Sequence, residues 1–145
     1  MVPAGGLRQP RTSETAVAYP DAQGNVRSAD NLFMNGGEIF EFTLHSVPAS
    51  VERLLQKAQV SVDAIDLFVF HQANKYMLDH LRKKMKIPGE KFVIGMSHCG
   101  NTVSSSIPIA LKDAMDTGRA PSGTLAMLVG FGVGYSWGAT LLRVP

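Results

Sequence analysis

An α/β domain, with helices flanking a layered mixed β-sheet, is the fold class this sequence predicts, and three features carry the prediction. Ile65-Asp66-Leu67-Phe68-Val69-Phe70 is a short, almost wholly apolar run, as expected of a strand buried on both faces in a parallel sheet. Segments whose apolar residues recur at helical spacing alternate with such runs. The last two apolar runs are joined by a tight glycine-rich turn, Gly130-Phe131-Gly132-Val133-Gly134, which sets the final strands antiparallel and makes the sheet mixed.

Each element can be justified in chain order. Residues 1–30 are rich in Gly, Pro, Ser, Asp and Arg and show no period beyond a short stretch at 16–19, so they are expected to form a surface arm or linker, with the domain proper at 31–145. From Gly36 the residues Ile39, Phe40, Phe42, Leu44, Val47, Val51, Leu54, Leu55 and Ala58 recur near helical spacing. Pro48 marks a kink or a boundary, so this is one long helix or two consecutive ones. The strand at 65–70 ends at His71. Asn74 can cap the next helix, where Met77, Leu78, Leu81 and Met85 form one apolar stripe before Pro88 forbids continuation. Residues 92–96 read as a strand, 104–117 as a helix closed by Gly118, 124–129 as a buried strand and 135–144 as a closing strand.

With 45% hydrophobic and 18% charged residues among 145, the chain suits one domain with a sizeable core. No run approaches the roughly 18 apolar residues of a spanning helix, and the start Met1-Val2-Pro3-Ala4-Gly5-Gly6-Leu7-Arg8 lacks the pattern of a secretory signal. The single cysteine, Cys99, excludes an internal disulfide framework and suits a reducing compartment, so a cytoplasmic location and no membrane association are expected. A net charge of +2 with scattered basic residues gives no charge-based reason to expect nucleic-acid binding.

His71-Gln72-Ala73-Asn74 sits where a buried strand gives way to a helix, the place where open α/β sheets bind ligands; a polar cap is the other reading. Asn101, in Ser97-His98-Cys99-Gly100-Asn101-Thr102, also lies in a strand-to-helix connection, or is a plain turn residue. In a mainly parallel sheet both loops emerge on one edge, so His71 and Asn101 converge. The loop 130–134 invites a dinucleotide reading, but β-like rather than helical residues follow it. Its backbone N–H groups remain suited to a developing oxyanion. Cys99 and His98 are neighbours in an extended segment and project to opposite sides, which favours a packed thiol. Two neighbouring ligands fall short of a zinc site, and no metal is expected.

The motifs His71-Gln72-Ala73-Asn74, Gly100-Asn101-Thr102 and Gly130-Phe131-Gly132 through Trp137-Gly138-Ala139 resemble, in order and spacing, the C-terminal half of β-ketoacyl-acyl carrier protein synthase III enzymes. Ile87-Pro88-Gly89-Glu90-Lys91-Phe92 and Ser106-Ile107-Pro108-Ile109-Ala110-Leu111 extend the resemblance over residues 35–143. It implies a thiolase-like half and a decarboxylative Claisen condensation in fatty acid or related polyketide biosynthesis. The substrates are acyl-coenzyme A and malonyl-acyl carrier protein, with no separate cofactor. By the same resemblance His71 and Asn101 are the decarboxylating pair, the Val133 N–H belongs to the oxyanion hole, and Phe131 walls the pocket. Gly36, Gly37 and Phe40 match a pantetheine-contact loop, although the family often has Asn where this chain has Gly37. Ala73 and Asn74 line the same tunnel.

The family's nucleophilic cysteine lies in the N-terminal half and no residue here matches it. That half is therefore an expected partner, and the chain alone is expected not to condense. Tyr76 stands where an arginine often docks the carrier protein. Lys75, Arg82, Lys83, Lys84 and Lys86 are the remaining cations for an acidic carrier, or a solvated helix face. The face Ile107, Ile109, Ala110, Ala114 and Met115 needs cover, which leads to an expected homodimer. Two alternatives stay open: a non-catalytic thioester-binding or assembly module, and a self-contained acyltransferase or hydrolase using Cys99.

Overall fold

A computed structural model describes residues 4–132 and 135–145, which divide into two compact units, one ending at Gly37 and the other spanning Glu38–Pro145. In the first unit β1 (Tyr19–Pro20) and β2 (Val26–Arg27) pair antiparallel. No strand is expected there from periodicity; side-chain turn chemistry makes it. Asp21 Oδ1 accepts the N–H groups of Gln23 and Asn25, both at 2.9 Å, and Gly24 takes the left-handed φ of 81° that the turn demands. In the same unit the Ser28 N–H donates to Asn31 Oδ1 at 2.8 Å, so local turn structure continues past residue 30.

The second unit holds the layered sheet. β3 (Leu67–Phe70) pairs parallel with β4 (Leu125–Gly132), which pairs antiparallel with β5 (Ser136–Arg143), giving the order β3-β4-β5. Alternation along the central strands sends Phe68, Phe70, Met127 and Val129 to one face and Leu67, Val69 and Ala126 to the other. The first face is covered by α1 (Gly36–Ala58), through Val47 and Val51, and by α2 (Lys75–Lys84), through Met77, Leu78 and Leu81. The second is covered by α3 (Ser106–Asp116), through Ala110 and Ala114. Burial on both faces is why β3 reads as an unbroken apolar run.

α1 is one continuous helix with Pro48 inside it. Proline removes one backbone donor, but fully buried Val47 just before it and buried Val51 just after it hold the helix on the sheet. Asn74 caps α2, its Oδ1 accepting the Met77 N–H at 2.8 Å.

The segment expected to be a strand at 92–96 is not one. It makes an isolated bridge, Phe68 with Phe92, and the Val93 N–H donates to Phe68 O at 2.9 Å. Beyond that point a side chain replaces the ladder. Gln72 Nε2 donates to Phe70 O at 2.7 Å and to Val93 O at 3.3 Å, and its Oε1 accepts the Gly95 N–H at 2.8 Å. The backbone groups that a strand would pair with β3 are satisfied by one amide, so the ladder ends. The helix expected over 104–117 begins as a 3-10 turn, Val103–Ser105, before α3 proper, and Gly118 closes it at φ 72°. Among the described residues, no helix is long and apolar enough to cross a membrane.

Candidate active site

Because β3 and β4 are parallel neighbours, their C-terminal ends lie on one edge, and His71 and Phe131 meet there. The His71 N–H donates to Val129 O at 2.8 Å, extending the ladder by one residue, and its ring sits edge-on to Phe131 with centroids 5.3 Å apart at 81°. Burial holds the His71 imidazole below its ordinary pKa, an effect that the Val103 backbone beside it opposes. Burial thus favours the neutral ring.

Asn101 reaches the same group through the backbone. Its Oδ1 accepts the Val103 N–H at 2.9 Å, which fixes the oxygen end of the amide, and among the described residues the NH₂ end has no hydrogen-bond partner. Val103 has φ 55°, a left-handed conformation that is costly for a β-branched residue. It is held from both sides. Ser106, 2% exposed at the start of α3, holds its Oγ 2.8 Å from Val103 O. The same oxygen lies 2.7 Å from His71 Nδ1 and accepts the Gln72 N–H at 3.2 Å. An unbroken series of short contacts thus runs from His71 through Ser106 and Val103 to Asn101. His71 and Asn101 are linked through these intermediate groups. Beside it, Thr102 Oγ1 is buried with no partner among the described residues.

Ser106 and Gln72 were not singled out as functional by sequence reasoning. A signal for Ser106 exists: it shares the buried face of α3 with Ala110 and Ala114, at helical spacing. Other expected residues are placed as follows. Asn74 spends its Oδ1 on the α2 cap, and Ala73 is partly buried against the core. Phe40 stacks on Tyr76 with centroids 5.7 Å apart and meets His80 edge-on at 5.6 Å. Tyr76 thus belongs to an aromatic cluster. Gly36 and Gly37 belong to the first unit, and Val133 lies outside the described residues. On α2, Lys75 pairs with Asp79 at 3.1 Å and Arg82 donates to Ile87 O at 3.2 Å, while Lys83, Lys84 and, just past the helix, Lys86 are exposed. The Cys99 thiol faces the carbonyls of Gly95 and Gly100, and His98 pairs with Asp113 at 3.3 Å. His98 is engaged with α3, which weakens the Cys99 alternative.

Residues 55–144 match the family described as 3-oxoacyl-[acyl-carrier-protein (ACP)] synthase III C terminal. The chain is 40% identical over 141 residues to the β-ketoacyl-[acyl-carrier-protein] synthase III of Symbiobacterium thermophilum, covering 97% of the chain and 40% of the relative. It is 36% identical over 137 residues to the enzyme of the same name from Synechococcus sp. (strain WH7803), covering 94% of the chain and 41% of the relative. A crystal structure of a 3-oxoacyl-(acyl-carrier-protein) synthase III superposes with a TM-score of 0.95 at 50% identity, over 99% of the chain and 42% of that protein. The chain therefore spans about two fifths of the length of the relatives it matches.

Proposed function

The chain belongs to the family of 3-oxoacyl-[acyl-carrier-protein] synthase III C-terminal domains, and from that premise we propose that it supplies the decarboxylation half of a condensing acyltransferase. In this reading an acyl group from acyl-coenzyme A is held as a thioester on a cysteine of a complementary N-terminal half. Malonyl-acyl carrier protein then binds beside His71 and Asn101. The bond to the malonyl carboxylate breaks, carbon dioxide leaves, and the electron pair moves into an enolate whose oxygen accepts hydrogen bonds from the two side chains. The enolate carbon attacks the acyl thioester, a carbon–carbon bond forms, and the cysteine leaves as thiolate. Donors fixed where negative charge develops stabilise the transition state more than the ground state. No cofactor is needed beyond the two thioesters.

The observation that supports this reading best is the linkage of His71 to Asn101 through Ser106 and Val103, which holds one candidate donor relative to the other before substrate arrives. In the same proposal Phe131, Phe40, Ala73 and Asn74 contact the thioester arm. The Val133 N–H serves the oxyanion hole, and Gly36 and Gly37 take the pantetheine contact the family implies. Lys83, Lys84 and Lys86, with Lys75 and Arg82, form a weak docking face for the carrier protein. The setting is cytoplasmic fatty acid or related polyketide biosynthesis.

The test is made with the chain assembled with a nucleophile-bearing half. His71→Ala or Asn101→Ala should lower malonyl-thioester decarboxylation on the order of 100- to 1,000-fold while acyl transfer to the cysteine continues. Decarboxylation at the parental rate in both variants would refute the assignment.

A further inference from the structure

We propose that Ser106 is the positioning residue that sets the tautomer of His71, its hydroxyl donating to Nδ1 so that the imidazole proton is held on Nε2. The inference rests on the reading of His71 as a donor to the enolate oxygen, and it explains how a neutral ring can be one. A neutral imidazole carries one proton for two nitrogens, and the group facing one nitrogen decides where it sits. Ser106 Oγ lies 2.7 Å from Nδ1, within 2.8 Å of Val103 O, and accepts the Gln72 N–H at 3.2 Å. The hydroxyl therefore has one proton and two acceptors in reach.

Val103 O does not depend on that proton. It already accepts the backbone N–H of Ser106, so the hydroxyl can turn to Nδ1 without stranding the carbonyl. Among the described residues, no other donor is bonded to Nδ1. Removing the hydroxyl changes the chemistry facing the ring. The nearby oxygen that remains is the Val103 carbonyl, which only accepts. It draws the proton onto Nδ1 and leaves a lone pair on Nε2, which repels an enolate oxygen instead of stabilising it. The left-handed Val103 backbone is what brings this carbonyl and the Asn101 bond to one residue, so the strained turn sets both candidate side chains.

The packing supports a chemical reason for a hydroxyl here. Ser106 is buried on the face of α3 that also carries Ala110 and Ala114, where a third alanine would fit the sheet with less desolvation. A buried hydroxyl at that place is stabilised by its partners at the end of β3 and by the Val103 carbonyl.

The tautomer is read directly from long-range proton–nitrogen correlation spectra of the full chain with ¹⁵N-labelled histidine, at a pH above the imidazole titration. The parent should show the His71 proton on Nε2, Ser106→Ala should move it to Nδ1, and Ser106→Thr should return it to Nε2. A parent with the proton on Nδ1, or a Ser106→Ala variant that keeps it on Nε2, overturns the proposal. In the assembly with the nucleophile-bearing half, Ser106→Ala should lower kcat for decarboxylation about 10- to 1,000-fold with KM little changed, and Ser106→Thr should restore it. Parental kcat in Ser106→Ala while His71→Ala is impaired also overturns it. If His71→Ala itself decarboxylates at the parental rate, the decarboxylation reading fails, and the tautomer assignment is judged by the spectra alone.

Discussion

Replacing Gln72 by leucine should cost about 2–4 kcal/mol of stability, because one buried amide does the work of a missing strand ladder. The side chain is 2% exposed and makes bonds of 2.7 Å to Phe70 O, 3.3 Å to Val93 O and 2.8 Å from the Gly95 N–H. Phe70 and Val93 are buried, so water cannot take over for their carbonyls; Gly95 is half-buried and is partly resolvated. An unsatisfied buried group costs about 1–3 kcal/mol, and two such carbonyls set the scale of the loss. Leucine recovers part of it, since burying its side chain is worth about 1.5–3 kcal/mol. With a urea slope of about 2 kcal/mol/M, the midpoint should fall by about 1–2 M. Gln72→Glu should be worse, because it removes both donors and faces two carbonyls with a carboxylate. Urea denaturation measures the loss, and amide exchange at Gly95 locates it. A Gln72→Leu midpoint equal to the parent, with Gly95 still protected, would refute the clamp.

Other expectations follow from the same region. Val103→Gly should stabilise the chain by about 0.5–1.5 kcal/mol, since a strained φ of 55° costs about 1–3 kcal/mol, glycine adds unfolded-state entropy, and the 73% exposed side chain loses little burial; lower stability would mean the strain is absent. Because burial lowers the His71 pKa, the unfolded chain binds the extra proton more readily between the folded pKa and about 6.5. Stability should therefore fall as pH drops through that window, and a His71→Gln variant with an unchanged pH slope would contradict this. Sedimentation over micromolar concentrations should show self-association, since Tyr135, Trp137, Leu142 and Met115 are each at least 37% exposed on the second unit; a monomer throughout would argue against a homodimer.

How much of this was legible in the sequence depends on the range of the interaction involved. The strands β3, β4 and β5 and the helices α2 and α3 come from hydrophobic period, which needs only a window of neighbours, and each lies within a few residues of its expected place. The place of His71 at the C-terminal end of β3 is legible for a topological reason, since open α/β sheets put polar loops at that edge, whereas Asn101 is tied to it by hydrogen bonds and not by a strand before it. The departures have a different origin. The segment at 92–96 has a strand's composition, but its pairing is taken by Gln72, 21 and 23 residues away in sequence. The hairpin of β1 and β2 has no apolar period because Asp21 makes its turn.

Ser106 shows why such polar contacts escape a window and how they can still be found. Its partners on the β3 side lie 34 and 35 residues away, so nothing local to α3 announces them. Yet a serine on the buried side of a helix, in line with alanines, is a position where packing alone favours alanine and desolvation penalises the hydroxyl. A helix interior offers that hydroxyl little beyond its own carbonyls. The partner must then come from the layer the helix covers, and at the first residue of α3 that layer is the C-terminal edge of β3, where His71 stands. A polar residue within an otherwise small, apolar stripe is thus a sequence-level pointer from a covering helix to a site on the sheet edge beneath it.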